Sequence, residues 1–202
     1  MADKIVAIFA EGATDIEFYK AVINKTRILK NSPFDCKIKY KNIKGIGNYK
    51  NNALRFFINL KTKNKGMDIY VFLCIDSDVF EYSKKPPIDK NDVKKALLDA
   101  GAKKVEYLIA HKSIEDLFLY DSNGVLEYLG LPQSTKYPHQ NSGQENLKIL
   151  FSKANKVYVK GEKTEGLIEK LDITKILDKG CSTFKPLCNI LDLDCSNICK
   201  KE

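Results

Sequence analysis

No stretch of this chain approaches the roughly 20 apolar residues that span a bilayer as a helix, so no membrane span is expected. Met1-Ala2-Asp3-Lys4 leads straight into a strand-like run without a secretory h-region, which points to a cytoplasmic protein. Arginine is scarce: Arg27 and Arg55 are the only two, so the cationic surface is almost entirely lysine. No internal repeat is visible, and low-complexity sequence is nearly absent. No C-x₂-C pair occurs among Cys181, Cys188, Cys195 and Cys199, so no zinc site is expected there. Their spacing of seven, seven and four suits one stripe of small buried side chains on a helix. With Cys36 and Cys74 they make six cysteines, expected as reduced thiols in a cytoplasm.

What is present is enough for one globular domain or a domain with an appendage. The 202 residues are 44% hydrophobic and 30% charged, with 10 Tyr and 10 Phe. Lys+Arg exceed Asp+Glu by 34 to 26, a formal +8 that is compatible with a polyanionic partner. Lysine- and asparagine-rich usage from an A·T-biased genome would give the same excess. Apolar runs Ile5–Ala10 and Ile69–Ile75 suit strands buried on both faces, as in a parallel sheet. Cys36–Tyr40 alternates as a half-exposed strand, and Lys104–Ala110 supplies a fourth. Helical spacing intervenes at Ile16–Ile23, Ala53–Leu60 and Val93–Leu98. Thr14 with Glu17 reads as a capping box for the first helix. The order β-α-β-α-β-α-β implies an α/β fold with a four-stranded parallel sheet over residues 1–110. Residues 111–202 read as a helical appendage packed on that core. Its helices are expected near 113–120, 125–129, 145–154, 165–171, 173–177 and 184–191.

The informative residues are acids placed where strands run out. Glu11-Gly12-Ala13-Thr14-Asp15 follows the first apolar run and Asp76-Ser77-Asp78 follows the second. Open α/β sheets build ligand sites at the carboxyl ends of their strands. Converging oxygen ligands suit a hard divalent ion such as Mg²⁺. Asp76 and Asp78, two apart, project to one side if the strand persists through them. Each cluster also has a local reading: Glu11 and Asp15 favour a helix N-terminus, and Asp76-Ser77-Asp78 closes a strand in a polar turn. Two such clusters at paired strand ends favour a shared site.

A strand ending in Glu-Gly-x-Thr-Asp, with Asp-x-Asp closing another strand 65 residues on, resembles the Toprim (topoisomerase–primase) domain. The nuclease type of overcoming-lysogenization-defect proteins and bacterial abortive-infection proteins is the closest form. The resemblance covers roughly residues 4–110. It implies a four-stranded parallel sheet, a Mg²⁺ or Mn²⁺ site, and cleavage of nucleic-acid strands. It assigns Glu11 to acid/base or ligand roles and Asp76 and Asp78 to the metal, with Asp15 as an added ligand. No G-x-x-x-x-G-K-[ST] loop occurs, so any ATPase would be a separate subunit. No tyrosine is placed as a topoisomerase nucleophile, and no primase zinc domain is present.

Further candidates lie outside the two clusters. His111-Lys112-Ser113-Ile114-Glu115-Asp116 follows the fourth strand and resembles a segment of single-domain Toprim-like defence proteins. Glu115 could complete a metal site and Lys112 could touch phosphate, or the acids could serve a helix N-terminus begun by Ser113. His111 suits a structural hydrogen bond. Lys160, before Gly161, could reach the scissile phosphate as a compact charge, or be a solvated lysine near a turn. Lys44-Gly45-Ile46-Gly47-Asn48-Tyr49-Lys50 could bring backbone amides, Lys44 and Lys50 to phosphate, or be a plain βα turn. The expected function is metal-dependent cleavage of RNA or DNA, in bacterial anti-phage defence. The alternatives are a catalytically silent Toprim-like nucleic-acid-binding or regulatory subunit, and a metal-independent doubly wound receiver of a phosphate ligand.

Overall fold

The computed structural model describes residues 3–31, 33–81, 85–160 and 165–193. In chain order it forms β1 (Lys4–Ala10), α1 (Ala13–Lys30), β2 (Lys37–Asn42), α2 (Leu54–Lys63), β3 (Asp68–Asp76), α3 (Asp78–Glu81), α4 (Lys90–Asp99) and β4 (Lys104–Ala110). There follow α5 (Ile114–Phe118), α6 (Ser122–Leu129), α7 (Gly143–Lys153), α8 (Glu165–Lys170), α9 (Ile173–Lys179) and α10 (Cys181–Ile190). The four strands form one all-parallel sheet in the order β2-β1-β3-β4. The two apolar runs take the two central places because only there are both faces of a strand covered. Residues Ile5 to Ala10 are wholly buried.

Alternate residues of each strand feed two cores. Val6, Ile8, Phe72, Cys74 and Leu108 pack against α1 and side chains from α5 to α10. Ile5, Ala7, Phe9, Val71, Leu73 and Val105 pack against α2 and α4. The helices after residue 113 thus share a core with one face of the sheet. Because α1 returns the chain on one face and α2 on the other, the strand order reverses between β1 and β3. Open α/β sheets build their ligand sites at the carboxyl edge of such a switch point.

Local outcomes differ from expectation at the start of α1 and at the cysteines. The first helix begins at Ala13 with Gly12 as N-cap, so Thr14 and Glu17 lie inside it and form no capping box. Gly12 is favoured there because a Cβ would sit 2.8 Å from Asp15 Oδ2. A capping box forms instead at Ser113 and Asp116, with reciprocal bonds, where a helix N-terminus begun by Ser113 is one of the two readings. Cys181 is disulfide-bonded, which corrects the expectation of six reduced thiols. It stands half-buried in the first turn of α10, unlike buried Cys188 two turns further on. The helix stops at Ile190, and Cys195 and Cys199 lie outside the described residues. Among the described residues no helix is long and apolar enough to cross a membrane.

Candidate active site

Glu11 follows β1 and Asp76 ends β3, so the two central strands deliver both acids to the same edge. Tyr49, buried in a π-helical turn over Tyr49–Ala53, fastens the strands just beneath them. Its hydroxyl lies 3.2 Å from the carbonyl of Phe9 and also bonds that of Cys74, each two residues before an acid. One phenolic proton serves two carbonyls, which ties the strand ends to each other.

Beyond Asp76 the strand does not persist. Ser77 N–H donates to Ala110 O at 3.0 Å and Asp78 N–H to Lys112 O at 3.0 Å, while the chain already turns into α3. Asp78 therefore opens a helix, and the expected same-side projection of a continuing strand does not apply. The turn is closed by the Ser77 hydroxyl, which accepts from Lys112 N–H at 2.8 Å and donates to Glu81.

Both oxygens of Asp76 are engaged. Oδ1 accepts from the N–H of Ile114, the first residue of α5, at 3.0 Å. Oδ2 accepts from Lys160 Nζ at 2.8 Å. Lys160 comes from far along the chain, and local sequence explains how. After α7, Asn155 takes a left-handed φ of 55°, which a short polar side chain tolerates. Lys156 N–H then bonds Phe151 O, turning the chain back. Tyr158 plugs into the core edge-on to Phe151 and donates to Glu115 Oε1 at 2.7 Å. Two residues later Lys160 reaches Asp76. The base of this strap is close-packed: a Cβ on Gly143, at the start of α7, would lie 2.4 Å from Asp116 N.

Among the described residues, five carboxyl groups thus feel the charge of the Lys160 ammonium: Glu11, Asp15, Asp76, Asp78 and Glu115. Asp15, Asp76 and Glu115 are buried, and Glu115 is completely so. Burial first, then the neighbouring charges of Asp76 and Asp15, push the Glu11 carboxyl up to about 7. Burial also pushes Asp76 up to about 7, against the pull of Lys160. Asp15 and Asp78 are raised by burial as well. Burial disfavours the Lys160 cation, but Asp76, Glu115 and Asp15 together outweigh it and raise its pKa. Among the described residues, three buried carboxyl oxygens of this cluster have no hydrogen-bond partner: Glu11 Oε1, Asp78 Oδ1 and Glu115 Oε2.

The remaining candidates fall around this edge or away from it. Lys44 is exposed in the loop after β2, with φ 64°, and the next residue, Gly45, donates its N–H to Glu11 O at 2.9 Å. Lys50 instead pairs with Asp92 at 3.5 Å on the exposed surface. Lys112 has a left-handed φ of 59° and its ammonium bonds Asn141 O. His111 is exposed. Sequence reasoning missed Tyr49 and Tyr158. The available signal was position: Tyr49 directly follows the Gly-containing turn, and Tyr158 alternates with Lys160.

All five acids offer hard oxygen donors, the set a divalent cation takes. Among the described residues, however, no three Asp, Glu, His or Cys side chains are gathered into a group that could hold a metal ion. Asp76, the natural centre of such a group, already has Lys160 on one oxygen and α5 on the other. No family model, curated protein or solved structure matches this chain.

Proposed function

We propose that this protein is a metal-dependent nuclease of Toprim type acting on nucleic-acid phosphodiesters. The observation that carries the reading is the set of unpartnered buried oxygens on Glu11, Asp78 and Glu115 around Asp76, at the switch point of the sheet. Buried carboxylates without partners are costly, and a hard cation is the partner their chemistry fits. Asp76 and Asp78 would hold Mg²⁺ or Mn²⁺, with Asp15 and Glu115 behind them, which leaves Glu11 for proton transfer. The ion, when bound, supplies Lewis-acid stabilisation of phosphoryl and leaving oxygens.

The residues themselves divide the rest of the work. Glu11, at about 7, is matched to proton transfer near neutral pH. It takes a proton from the attacking water as the new O–P bond forms. It returns that proton to the sugar oxygen as the old P–O bond breaks. Lys160, 44% exposed at its side chain, turns from Asp76 to the non-bridging phosphate oxygens. A role in anti-phage defence, beside a separate ATPase, belongs to this proposal through the family resemblance alone.

The test is cleavage of tRNA, single-stranded DNA and plasmid with Mg²⁺ or Mn²⁺ against EDTA. Cleavage is expected only with metal, and Glu11→Gln should lose it. Equal behaviour of wild type and Glu11→Gln on every substrate would sink the nuclease reading. Undiminished metal affinity in Asp76→Ala would sink the ligand assignment. One observation favours a second reading, a catalytically silent binding or regulatory subunit: the Lys160–Asp76 pair already supplies the acid edge with a cation.

A further inference from the structure

On the far side of Glu11, β2 forms an edge of the sheet, and its alternating residues separate two chemistries. Ile38 and Tyr40 pack on the core with α1. Lys37, Lys39 and Lys41 point the other way and are exposed. Between this lysine row and α2 lie two cavities of about 400 Å³ and 410 Å³ that adjoin at Phe56 and Asn59, and together they are called the groove. Its cations are Lys39, Lys41, Arg55 and Lys63, and no carboxylate lines either cavity. Among the described residues none of these four cations forms an ion pair. Lys41 Nζ sits 5.4 Å from the Phe56 ring centroid, and Phe56 is braced edge-on by Phe9. Four cations without an ion pair among the described residues line these cavities, beside the Asn59 amide, and lack only an anion that extends as they do.

We infer that the groove between β2 and α2 binds the sugar–phosphate backbone of a nucleic-acid strand and leads it to Glu11. The inference rests on the nucleic-acid substrate proposed above and adds where that substrate lies. Strand geometry spaces Lys39 and Lys41 roughly 7 Å apart on one face, a row suited to successive charges on a chain. The groove is joined to the acid edge through the loop after β2. Asn52 Nδ2 bonds Ile43 O at 3.0 Å, Ile43 N–H bonds Ala10 O at 2.8 Å, and Gly45 N–H bonds Glu11 O. Lys44 lies in the chain between Ile43, which is bonded to Asn52, and Gly45, which is bonded to Glu11.

Binding is measured in EDTA by fluorescence anisotropy of labelled single-stranded RNA, single-stranded DNA and duplex DNA over a salt series. The variant is Lys39→Ala/Lys41→Ala/Arg55→Ala/Lys63→Ala. The control removes the same charge from exposed Lys95, Lys136, Lys148 and Lys185 outside the groove. For a single strand, the salt slope of log affinity should fall by about 0.7 per lost phosphate contact, or about 2.8 for the groove variant. The control should keep the wild-type slope. Equal losses in both variants, or none in the groove variant, overturn the inference, as does groove-dependent binding of anionic lipid vesicles with no binding of any nucleic acid. Groove-dependent binding without cleavage leaves the groove standing and sinks the nuclease; cleavage with groove-independent binding does the reverse.

Discussion

At the carboxyl edge five carboxyl groups share one ammonium, whereas along β2 and α2 four cations share no carboxylate. The first set is mostly buried, and burial raises the carboxyl groups of Glu11, Asp15, Asp76 and Asp78; the second stands in solvent. The formal +8 of the chain conceals this segregation. Burial is what separates the two regions in kind. It makes proton affinity adjustable at the acid edge, and its absence leaves the groove as a source of plain electrostatic attraction.

The comparison can be broken most severely at Glu11. Glu11→Gln keeps the shape and removes the titrating group, and cleavage is expected to fall by about 10²–10⁴-fold, the usual share of a general acid/base. Single-turnover rates at saturating Mn²⁺ measure it, and a fall below tenfold argues against that role. A smaller effect comes from packing beneath the acids. Gly143→Ala must displace the α5 backbone at Asp116 and should cost about 1–3 kcal/mol in urea unfolding. An unchanged midpoint would mean that α7 shifts freely. Tyr49→Phe removes the proton shared by Phe9 and Cys74 and should cost about 1 kcal/mol. Cleavage that survives this variant intact would show that the strand ends hold without the clamp.

The mildest probe is pH. Glu11 and Asp76 move from ordinary values of 4.5 and 3.8 to about 7 on folding, so the folded chain binds protons more tightly than the unfolded one. Their contribution is fully present below the ordinary values and is lost as pH rises toward about 7. Without metal, the melting temperature should decline over that window, and Glu11→Gln should flatten the decline. A rise instead would show that these acids fold ionised.

Strand positions were legible because burial on two faces demands continuous apolar runs, and Ile5–Ala10 and Ile69–Ile75 have no other use. Acids after those runs are local signals too, so Glu11 and Asp76 could be placed from sequence. Asp78 was not, since strand and helix differ there by a turn that Ser77 settles through bonds to Lys112 and Glu81. Lys160 could be nominated but not positioned: its contact depends on Asn155, Tyr158 and Gly143, a tertiary arrangement with no local period. The β2 groove was legible only as alternation, because Arg55 and Lys63 join Lys39 and Lys41 across a helix packing.

The strap that carries Lys160 also sets an order of assembly. All five carboxyl groups are on the chain once residue 115 has been made, but their counter-ion is 45 residues further on. During synthesis the acid edge must therefore stay hydrated or protonated until Tyr158 docks against Phe151 and Glu115. Docking of the short segment after α7 is what closes the sheet's charged rim, so a stretch made well after all four strands completes the cluster that β1 begins.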